Sequence, residues 1–269
     1  MTRRGRLSLV TGKGGVGKST VAAVLTQRAL AHGPARLLQV GENFHAPLGV
    51  PHTSIDPLNA VAEVASQLLR SRTLARFITR RPTIAAFLKI AHGIQAFSVL
   101  EYARQYVAKG EHVVLDLPAT GHALAWVRSV RILRRVALQG LAHDLASRLE
   151  SELFHERTDV YVVTLPERFV WKESAELQRK LHEEGLRAHL VVNRVPPPTN
   201  ASESVSPEIA APPESAAPSG IAAFEPWRAE AARWSAQRAL ALQLQPQLML
   251  PLRFPPDPSA LAAELREVA

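Results

Sequence analysis

Gly12-Lys13-Gly14-Gly15-Val16-Gly17-Lys18-Ser19 decides how this chain folds. It follows the apolar run Leu7-Ser8-Leu9-Val10 and precedes a helix-like stretch from Thr20 to His32. Between a strand and a helix, G-x-x-x-x-G-K-S reads as a phosphate-binding P-loop. Glycines let the backbone turn its N–H groups inward, because no Cβ obstructs positive φ. The helix start adds free N–H groups and the positive end of its dipole. Gly14, Gly15, Val16, Gly17, Lys18, Ser19 and Thr20 are therefore the candidate nucleotide-binding residues. Lys18 is placed to reach the β- and γ-phosphates, and the Ser19 hydroxyl to ligate Mg²⁺. Lys13, directly after the first glycine, is not required by an ordinary loop of this kind.

The 269 residues are 46% hydrophobic, enough for one sizeable core, and one domain over 1–269 is the simplest reading. The absence of Cys excludes disulfides, thiolate zinc sites and a cysteine nucleophile. A reducing cytosol is compatible with that composition. The basic start, Met1 to Arg6, leads into a short strand, unlike a signal peptide. No stretch is long and apolar enough to span a membrane, so any membrane contact is expected to be peripheral, at an inner surface. The net charge of +8 fits bound ATP, an acidic partner, an anionic membrane or nucleic acid, and does not choose among them.

A second strand, Arg36–Val40, ends at Gly41-Glu42-Asn43-Phe44-His45. Glu42 stands where a carboxylate can orient an attacking water or hold a Mg²⁺-bound one, and is otherwise an exposed loop glutamate. Asp56-Pro57 caps a helical region reaching about Ala108, with breaks near Arg81-Pro82 and His92-Gly93. This insertion, 44–110, has no Asp or Glu between Glu63 and Glu101 but carries Arg70, Arg72, Arg76, Arg80, Arg81 and Lys89. It reads as a membrane-facing or partner-facing surface, or as a solvated helical face. The lack of interleaved aromatic residues argues against nucleic acid.

His112-Val113-Val114-Leu115-Asp116 is a buried strand ending in an acid, a Walker B pattern. Asp116 is the candidate to hold Mg²⁺ through water. Gly121, in the following loop, is the candidate to sense the γ-phosphate through its N–H. His122 beside it faces phosphate, a partner, or neither. A helix with Arg128, Arg131, Arg134 and Arg135 adds to the basic surface. Asp159–Leu165 and Leu190–Val195 are the fourth and fifth strands, with a helix to about Glu184 between them. An amide at the end of the fifth strand offers a donor and an acceptor to an adenine edge. Asn193 therefore favours ATP over GTP, its other reading being a turn asparagine. The stretch 196–222, rich in proline and serine, reads as a disordered loop within the domain. A helix over Phe224–Gln243, a sixth strand at Leu248–Leu252 and a helix capped by Asp257-Pro258 complete the chain. Pro251 is placed for an adenine wall. The ten His residues show no metal-ligand spacing.

Strands alternating with helices make a doubly wound α/β fold with a mainly parallel sheet and a helical insertion between strands two and three. Four segments then resemble the ArsA family of deviant Walker A ATPases, related to MinD and ParA. They are Gly12–Ser19, Asp116–Leu124, T-L-P-E at Thr164–Glu167 and V-V-N-R-V at Val191–Val195. His92-Gly93-Ile94-Gln95 is similar to the family's P-G-I-E. The resemblance implies an ATPase, hydrolysing ATP to ADP and phosphate, with ATP and Mg²⁺ as cofactors. It implies that Lys13 reaches across a dimer interface to the partner's phosphates. Where the family's switch is T-D-P-A-H, Glu42 replaces the catalytic Asp. Without Cys, the arsenite site and the zinc clamp of the family's dimer are excluded.

The expectation is a cytoplasmic Mg-ATPase whose catalytic residues are Lys13, Lys18, Glu42 and Asp116, with Ser19 and Asp116 at the metal. Nucleotide would close a homodimer, or a heterodimer with a paralogous ATPase, on a protein cargo or partner. Two alternatives stand beside it. One is a weakly hydrolysing regulatory subunit of a heterodimer, motivated by Glu42. The other is a MinD-like, membrane-associated switch using the basic helices.

Overall fold

The apolar run at the start of the chain becomes the centre of β1 (Arg6–Gly12), whose last six residues are all buried. In a computed structural model of the chain, residues 5–41, 49–118, 122–196, 225–244, 246–252 and 257–267 are described. From β1 the chain passes through α1 (Lys18–Leu30), β2 (Ala35–Val40) and β3 (His52–Ile55). Four helices follow, α2 (Pro57–Leu69), α3 (Arg72–Thr79), α4 (Pro82–Ile90) and α5 (His92–Ala108). Then come β4 (His112–Asp116), α6 (His122–Val136), α7 (Leu141–Leu153), β5 (Thr158–Thr164), α8 (Arg168–Glu183) and β6 (Arg187–Val195). The last elements are α9 (Glu225–Gln243), β7 (Leu248–Pro251), α10 (Pro258–Glu264) and β8 (Arg266–Glu267).

The strands form one sheet in the order β3-β2-β4-β1-β5-β6-β7-β8. Seven strands are parallel, and the two-residue β8 is antiparallel to β7. Parallel strands need covered faces and read as near-continuous apolar runs, as Val113-Val114-Leu115 and Leu190-Val191-Val192 do. One face packs on α1 and α10, through Val21, Val24 and Leu261 against Val10, Leu37, Val114 and Val163. The other carries the larger core, where Phe97 and Leu100 of α5, Leu149 of α7 and Leu181 of α8 meet Leu9, Leu38 and Leu115. The α/β class with a mainly parallel sheet agrees with the sequence reading.

Two strands escape that reading. In β3, His52-Thr53-Ser54-Ile55 looks like a polar loop, and only Ile55 is buried. It pairs with β2 alone, as an edge strand, so only one side needs a partner. The 44–110 stretch is thus not helical throughout. β8 is too short to leave a pattern. Within the helical part, the expected breaks at 81–82 and 92–93 fall at the starts of α4 and α5. A further break lies at Arg70, which takes a left-handed conformation (φ 51°) and closes α2. α7 is also additional, set off from α6 by Gly140 (φ 84°). Asp56 caps α2 by accepting from the Leu58 N–H at 2.9 Å, and Asp257 caps α10, both as the sequence leads one to expect. Of the Pro-rich stretch 196–222, all but Pro196 lies outside the described residues.

Among the described residues no single helix is long and apolar enough to cross a membrane. The bent pair α4–α5 reaches that length and composition only when taken together across an 83° turn. α5 owes its apolar character to burial on the sheet, where Ala96, Phe97, Val99, Leu100 and Ala103 are all core residues.

Candidate nucleotide site

β1 delivers the chain to its carboxyl end at the centre of the sheet, between β4 and β5. That is the position where open parallel sheets carry their ligands. Gly12 leaves the strand with φ 150°, and a Cβ there would stand 2.4 Å from the Val163 carbonyl oxygen. Only glycine allows this approach of β1 to β5. Gly15 and Gly17 have φ 83° and 85°, in the left-handed region. Gly14 and Gly15 are exposed and face open space, so their backbone is accessible to a ligand. Gly17 is the N-cap of α1, and no acidic side chain occupies the helix's first turn. The N–H groups of Lys18, Ser19 and Thr20 lie in that first turn, where an α-helix provides no internal acceptor.

Asp116, the last residue of β4, is 6% exposed. Its Oδ2 accepts a 2.6 Å hydrogen bond from the Ser19 hydroxyl. Its Oδ1 is buried and has no partner among the described residues. Burial pushes the carboxyl above the ordinary carboxylate range, and the Ser19 hydrogen bond and the Lys18 charge only partly oppose that. The Lys18 ammonium is lowered by burial and partly restored by Asp116. It donates to the Lys13 carbonyl at 3.2 Å, spanning the loop. Lysine and serine from the glycine loop and aspartate from the end of β4 thus meet at one point.

Gln39 belongs to this site and was not among the expected residues. It lies opposite Asp116 in the β2–β4 register, so both side chains leave the sheet on the same face. It is fully buried, and neither of its amide atoms has a partner among the described residues. A buried amide without hydrogen bonds costs about 1–3 kcal/mol, and native structures fill such places with ordered water or ligand. The detectable signal was a glutamine interrupting the apolar run Leu37-Leu38-Gln39-Val40.

Asn193 makes contacts that the sequence did not suggest. It is 4% exposed, its Nδ2 donates to the Val16 carbonyl at 2.9 Å, and its Oδ1 accepts from the Arg194 N–H at 2.9 Å. These bonds brace the glycine loop from below and use one of the two Nδ2 hydrogens and one of the two Oδ1 lone pairs, leaving one donor and one acceptor position uncommitted. Asn193 lies in the irregular part of the β6–β7 pairing, between Val192 and Val195, and the next residue, Arg194, takes a left-handed conformation (φ 57°). Gly17 is fixed by the same contact, since a Cβ there would lie 2.4 Å from Asn193 Nδ2. Pro251 ends β7 and pairs with Val195, so it lies at the same end of the sheet.

Lys13 is half-exposed, and its ammonium lies 3.0 Å from the Glu173 carboxylate of α8. Within one chain it therefore faces an acid of its own fold. Glu42 and Gly121 lie outside the described residues, as does the His122 side chain.

The donor set fits a hydrated divalent cation. A serine hydroxyl and a buried carboxylate oxygen without a partner are hard oxygen ligands of the kind Mg²⁺ takes. Among the described residues no three His, Asp or Glu side chains cluster, so water and phosphate oxygens would complete the shell. Comparison with protein-family models and with curated proteins finds no match for the chain.

Proposed function

We propose that the chain is a Mg²⁺-dependent ATPase of the ArsA type, acting as a dimer on a cargo or partner protein. One observation carries this reading. Beneath a glycine loop and beside Lys18, the Ser19 hydroxyl bonds one oxygen of a buried carboxylate whose other oxygen has no partner. A purely structural aspartate would have both oxygens satisfied, because leaving one bare is costly.

In this reading the loop N–H groups and the first turn of α1 bind the triphosphate, and Lys18 lies along its β- and γ-oxygens. Ser19 and Asp116 hold Mg²⁺, directly and through water. When bound, the cation neutralises the charge that builds on the phosphate oxygens during transfer to water. Asn193 keeps Val16 and Gly17 in place, so the loop need not reorganise when the ligand arrives. Glu42, by its position after β2, is assigned to orient the attacking water. Lys13 is assigned to the phosphates of the neighbouring subunit. Its pairing with Glu173 is an exposed ion pair worth about 0.2–1 kcal/mol, so exchanging that partner for a phosphate is cheap.

The test is ATP turnover together with solution mass. Wild type should release phosphate only with Mg²⁺. Lys18→Ala should lower turnover by about 100-fold or more. Lys13→Ala should lose both turnover and ATP-dependent dimer mass. Unchanged turnover in both variants overturns the proposal.

A further inference from the structure

A large cavity lies away from the glycine loop, within the helical layer. It has a volume of about 780 Å³ and is enclosed by the end of β3 and by α2, α3, α4 and α5. That volume falls in the range of small-molecule sites. One wall is built by Arg72 and Arg76 of α3 and by Arg80, its C-cap. Spaced four residues apart, they stand above one another on a single helix face.

The three arginines differ in what they touch. Arg72 is paired with Glu63 across the cavity at 3.3 Å. The side chains of Arg76 and Arg80 have no hydrogen bond or ion pair among the described residues. They are neighbours one helical turn apart, with Cβ atoms about 5–6 Å from each other. The other walls mix polar side chains, Asn59, Ser66 and Tyr102 among them, with apolar ones such as Leu58 and Leu88. Of the two carboxylates lining the cavity, Glu63 is taken by Arg72, and Asp56 caps α2. Two arginines thus line a concave space without an ion-pair partner among the described residues, since Glu63 is paired with Arg72 and Asp56 forms no ion pair there. Guanidinium forks match phosphate and carboxylate oxygens, two bonds at a time.

We propose that this cavity is a binding site for a small organic polyanion, held by Arg76 and Arg80. The ligand carries two anionic groups, phosphate or carboxylate, spaced to meet side chains one turn apart. Its uncharged body contacts Asn59, Ser66 and Tyr102. A concave site of this size suits a metabolite-sized molecule better than a flat membrane surface. The site borders the start of the loop after β2, because Ser54, also in its wall, donates to the Gly41 carbonyl at 2.6 Å.

The experiment uses citrate and fructose 1,6-bisphosphate as probes in calorimetric titrations of the full chain at low salt. At least one probe should bind saturably. Arg76→Ala/Arg80→Ala should weaken that binding tenfold or more, and Arg76→Lys/Arg80→Lys should weaken it less. Both arginines are exposed, so the double variants should keep the wild-type melting temperature. Lys18→Ala should retain the binding. If neither probe binds below about 5 mM, which corresponds to roughly 3 kcal/mol of affinity, the proposal fails. Binding that survives the double alanine variant and disappears in Lys18→Ala places the anion on the glycine loop and also overturns it. So does arginine-dependent pelleting with anionic vesicles when neither probe binds. Failure of ATP to bind would leave this site standing, and failure here would leave the ATPase reading untouched.

Discussion

Asp116 concentrates the chemistry of this molecule in one side chain. Burial raises its folded-state pKa above the ordinary value of 3.8. A carboxyl raised in this way holds its proton longer in the folded state than in the unfolded one. Stability therefore falls as pH rises from 3.8 through the raised folded value, and the penalty is complete above it. Asp116→Asn keeps an oxygen for the Ser19 hydroxyl and removes the charge. At pH 8 the variant should melt higher than wild type, and the gap should narrow as pH falls. Its Mg²⁺-dependent turnover should disappear. Melting curves from pH 4 to 8 decide the matter, and a variant less stable at every pH contradicts this account. Lys18, Ser19 and Asp116 were legible because their motifs are short and local. Gln39 was harder to see, since a glutamine in a strand gains meaning only once its neighbour across the ladder is known.

The opposite ends of the strands carry a second polar group with a structural role. On β4, His112 lies at the far end from Asp116 and is bonded to the Ser8 hydroxyl of β1 at 2.9 Å. Burial, followed by the Arg6 charge, pushes its pKa down from 6.5 to about 4, with Asp159 opposing. A base depressed in the folded state contributes stability that is lost as pH falls from 6.5 through about 4. The loss is on the order of 3 kcal/mol. His112→Asn retains a polar partner for Ser8 and should flatten the stability curve in that window. Nearby, burial acts to raise Asp159, but hydrogen bonds from His189 and Arg6 and the Arg187 charge hold it below the usual carboxylate range. Its effect therefore falls at lower pH, outside this window, whereas Asp116, whose contribution runs the opposite way, overlaps it, so the His112 effect is read as the difference between the variant and wild type. Among the elements, the long buried strands and capped helices could be read from the chain. β3 could not, because a polar edge strand has no periodicity to show and acquires its identity from β2.

Across the whole molecule, the site is made by the sheet's order. β1 stands between β4 and β5, so α1 can pack against both β1 and β4 and bring Ser19 to Asp116. Ligand bound there acts on both cores, since α1 belongs to one and β4 joins the two. Mg-ATP at 100 times its dissociation constant should therefore stabilise the full chain by about 2.7 kcal/mol, read as a rise in melting temperature. Mg²⁺ alone should give little, and Gly17→Ala should reduce the ATP effect, because its Cβ collides with Asn193. By itself the sequence determined the glycine loop, the alternation of strands and helices and the acid at a strand end. These are written in residues close together in the chain. Tertiary structure alone decided that Asn193 braces the loop, that Lys13 faces Glu173, that Gln39 lies beside Asp116 and that three arginines wall a cavity. Each of these depends on residues far apart in sequence, as Val16 and Asn193 are by 177 positions, and no local pattern of side chains encodes such a meeting.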